Sequence, residues 1–74
     1  MSEARLLALV RSYPHPRALA RRVRDVFPGL RRLEARGLVT QRRGLYRLTD
    51  RGRRELATTE ALWRLVARSY LASR

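Results

Sequence analysis

The amino-acid sequence predicts a mostly helical α+β domain: three short helices, a two-stranded hairpin and one long closing helix. Three observations lead to it. Apolar residues recur at helical spacing in segments separated by Pro14, Pro16, Pro28 and Gly37. From Leu38 to Thr49 the pattern changes to that of strands with one inward face. After Thr49 the helical spacing resumes toward the end of the chain. The 74 residues make one domain, and a chain of this size buries only about 60% of the surface that it exposes when unfolded. The core is therefore small, and association with a second copy is expected to help it.

The first helix is capped by Ser2 and runs to about Tyr13, with Leu6, Leu9, Val10 and Tyr13 on one face before Pro14 stops it. Pro16 suits the first position of a second helix, where a missing N–H costs nothing. Leu19 and Val23 form its inward edge, and Arg17, Arg21 and Arg24 point the other way. Pro28 cannot sit in a helix interior and disfavours helical backbone at Phe27, so the third helix is expected to begin between Asp25 and Pro28. Gly37 ends it as a left-handed cap. Leu30 and Leu33, with Phe27 or Val26, face the core, which leaves Arg31, Arg32 and Ala35 opposite and Arg36 at the edge.

Leu38 to Thr49 read as a β-hairpin turning at Arg42-Arg43-Gly44, with Gly44 supplying a positive φ. Tyr46 and Leu48 alternate inward around Arg47. Thr49 caps the final helix, Asp50 suits the positive end of its dipole, and Gly52 is expected to weaken its start slightly. The apolar positions of this helix spread over an arc of roughly 240°, when lying on a small core needs somewhat more than about 100°. One protomer cannot cover that arc. The excess predicts a dimer joined through Leu62, Trp63, Leu65, Val66 and Tyr70, with residues 1–55 as the domain body and 56–74 as a dimerisation helix continuous with it.

The chain carries 18 basic residues, all Arg, against 6 acids, for a net charge of +12. Lys, Asn and Ile are absent together, which a GC-rich gene explains, but codon bias does not explain the threefold excess of base over acid. Nine of the twelve net charges fall between Pro14 and Glu55. Polyanions are the expected partner, nucleic acid before an anionic membrane. No apolar run is long enough to span a membrane, and the final helix has too wide an apolar arc and too little charge for an interfacial helix. The opening Met-Ser-Glu-Ala-Arg lacks the plan of a secretory signal, so a cytoplasmic, nucleoid-associated location is expected.

An enzyme is the class with least support. The absence of Cys removes disulfides, thiolate metal sites and a cysteine nucleophile. His15 is the only histidine and stands between prolines without an evident partner, and there is no acid pair, phosphate loop or metal-ligand spacing. Ser69, Ser73 and Thr58 read as ordinary helix-surface positions. No cofactor and no metal are expected.

Two runs, Leu30-Arg-Arg-Leu-Glu-Ala-Arg-Gly-Leu-Val39 and Tyr46-Arg-Leu-Thr-Asp-Arg-Gly52, sit within the order helix, helix, helix, hairpin, helix. Together they resemble the winged helix-turn-helix family, in particular the small regulators of the multiple-antibiotic-resistance-repressor and PadR-like groups, over about residues 3 to 57. The resemblance implies a third helix in the major groove and a wing on phosphates or the neighbouring minor groove. It makes Arg31 and Arg32 the groove readers and Arg42 and Arg43 the wing-tip contacts, with Arg17, Arg21, Arg24 and Arg47 on the backbone. Pro28 and Gly29 at the start of that helix offer no base-reading side chain, and Gly29 is expected to let the helix end approach a phosphate. The function so implied is sequence-specific binding of double-stranded DNA by a homodimeric transcriptional regulator. The alternatives are a non-specific architectural nucleic-acid binder and a winged-helix adaptor or inhibitor docking on the transcription machinery.

Overall fold

In the computed structural model, which describes residues 2–72, four helices accompany a two-stranded antiparallel sheet, with α1, α3 and α4 packed against it. The order is α1 (Glu3–Ser12), α2 (Pro16–Arg22), α3 (Val26–Ala35), β1 (Val39–Arg42), β2 (Leu45–Leu48) and α4 (Asp50–Ala72). Ser73, expected on the last helix, lies outside the described residues.

Local chemistry sets the boundaries. Ser2 caps α1, its Oγ accepting from the Arg5 N–H at 3.2 Å. Pro16 opens α2 at its first turn, and the Val23 N–H closes it onto the Leu19 carbonyl at 3.0 Å. Asp25 takes left-handed backbone, φ 56°, and starts α3 directly afterwards. Pro28 therefore falls in the first turn of α3, where its missing N–H had no helical partner to lose. That position overrides the expected bias at Phe27, which is helical. At the other end of α3 the Leu38 N–H bonds to the Leu33 carbonyl at 2.9 Å and the Gly37 N–H to the Glu34 carbonyl at 3.0 Å. With Gly37 at φ 73° this is a Schellman cap, and the flanking Leu33 and Leu38 are both buried.

The hairpin pairs Val39 with Leu48, Thr40 with Arg47, Gln41 with Tyr46 and Arg42 with Leu45. Both residues of its turn have positive φ, Arg43 at 53° and Gly44 at 78°, as a two-residue type I′ turn requires. The free edge of β2 is held in turn, because the Tyr46 N–H donates to the Pro14 carbonyl at 2.9 Å.

The core gathers Leu6, Leu7 and Val10 of α1, Leu19 of α2 and Val26, Leu30 and Leu33 of α3. Leu38, Val39, Tyr46, Leu48 and Leu56 complete it from the hairpin region and α4, and among the described residues no polar or charged one is buried with them. Two expectations change here. On α1 the buried line is Leu6, Leu7 and Val10, with Leu9 and Tyr13 at the margin, because this helix packs against α3, β2 and α4 at once. Between Val26 and Phe27, Val26 takes the core and Phe27 is left 44% exposed.

The start of α4 is a tight joint. The Thr49 N–H donates to the Leu38 carbonyl at 3.0 Å, its hydroxyl to the Gly37 carbonyl at 2.6 Å, and its Oγ1 caps the helix by accepting from the Gly52 N–H at 3.0 Å. A Cβ on Gly52 would stand 2.0 Å from the Leu38 carbonyl oxygen. Gly52 is thus the residue that lets α4 approach the backbone of Leu38, just before β1, rather than a mere weakness in the helix. Beyond Glu60 the helix leaves the body: residues 61–72 are all exposed, and the molecule extends 47 × 25 × 17 Å.

Candidate nucleic-acid interface

The six acids of the sequence are unevenly used. Glu60 holds Arg11 at 2.8 Å and Arg64 at 3.7 Å, Glu55 meets Arg36 at 3.4 Å, Glu3 binds the same guanidinium, and Asp50 holds Arg53 at 2.7 Å. These pairs stitch α1, the end of α3 and α4 together. Arg22 is also engaged, its Cζ 3.7 Å from the Tyr13 ring centroid and its Nη1 donating to the Ala18 carbonyl. By contrast, none of Arg17, Arg21, Arg24, Arg31, Arg32, Arg42, Arg43 and Arg47 has a carboxylate partner or a side-chain hydrogen bond among the described residues. All of them are exposed. Arg5, Arg51, Arg54 and Arg68 are likewise without ion pairs among those residues, so the sorting is one of surfaces rather than of single residues.

The elements hold these guanidinium groups in three places. On the hairpin, Thr40 and Arg47 face each other across the strands, as do Arg42 and Leu45, and alternation puts both pairs on the outward face. With Arg43 at the tip and Pro14 beside them, Arg42, Leu45 and Arg47 line one shallow depression. On α2, Arg17 and Arg21 stand one turn apart and border a second depression with His15, Pro16 and Ala18. On α3, Arg31 and Arg32 flank the outward line of the helix, each roughly 130° from the mean direction of Leu30 and Leu33.

Three placements differ from expectation. Arg24 does not belong to α2, which ends at Arg22; it lies in the connection to α3, because the chain turns extended at Val23. Arg32 borders a depression on the α1 side, with Ser2, Glu3, Leu6, Gly29 and Leu33, which none of the other expected contact residues lines. Gly29 has a packing reason beside the expected one: an added Cβ would meet Leu6 Cδ2 at 2.8 Å, and the residue marks where α3 crosses α1.

Sequence reasoning also missed Arg53. It borders a depression with Thr40, Gln41, Arg42, Arg47 and Leu48, which brings a third arginine from the first turn of α4 to the foot of the hairpin. The signal was the run Arg51-Gly-Arg-Arg54 directly after the hairpin. Asp50 answers it: the hydrogen bond from Arg53, and then the charge of that residue, hold its carboxyl below the usual carboxylate value.

The residues expected to join two copies lie together on the exposed half of α4. Leu62 is 60% exposed, Trp63 66%, Leu65 59%, Val66 50% and Tyr70 63%. No helix of the described residues is long and apolar enough to cross a membrane, and those residues contain no cluster of His, Asp or Glu able to hold a metal ion. Compared with protein-family models, with curated proteins and with solved structures, the chain matches none of them.

Proposed function

We propose that the chain is a winged helix-turn-helix protein that binds double-stranded DNA as a homodimer and regulates transcription. The observation that carries this reading is the distribution of charge: the carboxylates hold Arg11, Arg36, Arg53 and Arg64, while the arginines of α2, the outer side of α3 and the hairpin all lack a carboxylate partner among the described residues. An uncompensated guanidinium surface repels itself and gains most from a polyphosphate, whose condensed counterions it displaces. In this reading α3 enters the major groove with Arg31 as its main base contact, the hairpin is the wing, and Arg17, Arg21, Arg24, Arg42, Arg43 and Arg47 hold phosphates.

The dimer rests on the exposed half of α4. Residues 61–72 form about 18 Å of exposed helix, carrying a Trp, a Val and several Leu in the open. A twofold pair of such helices places two copies of α3 on half-sites about ten base pairs apart or a multiple of it, so the bound sequence is an inverted repeat. The chain does no chemistry of its own in this role and needs neither cofactor nor metal. A non-specific architectural binder is the second reading, favoured by Pro28 at the start of α3 and by Gly29 packed on Leu6, which together leave little of that turn to read bases.

Fluorescence anisotropy with a random-sequence duplex and with a pool selected by the protein, each at several salt concentrations, separates the two. Binding of the selected pool about a thousandfold tighter at physiological salt supports the regulator. Equal binding with a steep salt dependence refutes it in favour of the architectural reading.

A further inference from the structure

We infer that Phe27 is a base-reading residue, its ring packing on the 5-methyl group of thymine in the major groove. This rests on the DNA-binding reading above and adds the base that α3 prefers. Among the described residues, Phe27 is the only large apolar side chain left exposed outside α4. It is not a core residue out of place, since Val26 fills the core position at 2% exposure. The left-handed Asp25 fixes the start of α3 so that Val26 turns inward and Phe27, the second residue of the helix, turns out.

Its surroundings favour a duplex over an apolar protein. Arg31 lies one turn further along the same side of α3, Arg24 stands just before the helix, and neither has a carboxylate partner among the described residues. Pro28, also exposed, follows directly. In the major groove thymine shows its C5-methyl as an apolar feature, beside the acceptor edge of guanine that suits an arginine fork. An aromatic ring with a guanidinium one turn away therefore matches a thymine next to a guanine. The start of α3, which lacks polar readers, then recognises its site by apolar contact.

The test exchanges thymine for deoxyuridine, one position at a time, in the duplex that the protein selects from random DNA. Only the methyl group is lost. Wild type is expected to bind the correct deoxyuridine duplex about fourfold more weakly, the worth of one buried carbon. The F27A variant should bind both duplexes alike, and F27L should keep part of the difference; thermal melts confirm that both variants fold. Insensitivity of wild type to every exchange, or the same methyl effect in F27A, overturns the inference while leaving DNA recognition intact. A selection that enriches no sequence is a different result: it overturns the regulator reading and the base preference with it.

Discussion

Replacing Gly52 with Ala should destabilise the fold, although in an ordinary helix the same change stabilises by about 1 kcal/mol. The methyl would stand 2.0 Å from the Leu38 carbonyl oxygen and 3.0 Å from its carbon, against an ideal carbon–carbon contact of about 3.5 Å or more. Backbone, not a flexible side chain, is in the way, so α4 and the Leu38 backbone must part by more than about an ångström. Three hydrogen bonds converge on this joint, Thr49 N–H to Leu38, Thr49 Oγ1 to Gly37 and Gly52 N–H to Thr49 Oγ1, each with a net value of about 1 kcal/mol. Leu38, wholly buried, loses contacts as well. After subtracting the helix gain, the loss is about 2 to 4 kcal/mol, from a total that for a domain of this size is about 4 to 11. Thermal and urea melts followed by circular dichroism measure it. The expected fall in Tm is at least about 8 °C. A G52A protein that melts at or above wild type would refute the reasoning, because helix propensity would then outweigh the contact with Leu38.

Three further outcomes follow from other parts of the molecule. Arg43 holds a left-handed conformation that suits Asn better, so R43N should gain roughly 0.5 to 1 kcal/mol in urea melts while lowering the salt slope of DNA binding by about 0.9; unchanged slope would remove Arg43 from the interface. Trp63 is two-thirds exposed, so W63D should stay folded and yet sediment as a monomer at micromolar concentration; a wild type that is itself monomeric there contradicts the dimer. For Asp50, whose carboxyl is held below its ordinary value, the sign is fixed by linkage: the stabilisation is present above the unfolded pKa and is lost as pH falls through the folded one. D50N should therefore flatten the acid limb of the stability profile at low salt, and an unchanged limb would mean that the Arg53 contact does not persist in solution.

Much of this architecture was legible because punctuation and period agreed. Ser2, Pro16, Gly37, Gly44 and Thr49 each sit where their backbone or capping chemistry is used. What escaped depended on neighbours distant in the chain. Gly52 reads as a poor helix former until Leu38 is seen against it. Val26 lies within about 10° of the mean direction of Leu30 and Leu33 on a helical wheel, and Phe27 about 90° away. The bias that Pro28 places on Phe27 hides that phase in the sequence. The spacing of Arg24 fits α2, and spacing does not register that the chain turns extended at Val23. Within the candidate site the arginines were visible as a basic middle, but which of them already have carboxylate partners depends on Glu3, Glu55 and Glu60 meeting residues far along the chain.

The joint at Thr49 makes α4 a lever with a stiff root. The Gly37 carbonyl, Leu38, Thr49 and Gly52 tie the end of α3, the base of the hairpin and the first turn of α4 into one knuckle. A bend applied to the exposed half of α4 is therefore passed to α3 rather than absorbed between them. Residues 61–72, beyond the packed part of α4, make an arm of about 18 Å, so a tilt of about 10° sweeps its tip by about 3 Å, close to the rise of one base step at about 3.4 Å. Two chains clasped at such arms would work as calipers set to one opening: insertion of a single base pair between half-sites would have to be met by twisting the DNA, not by flexing the protein.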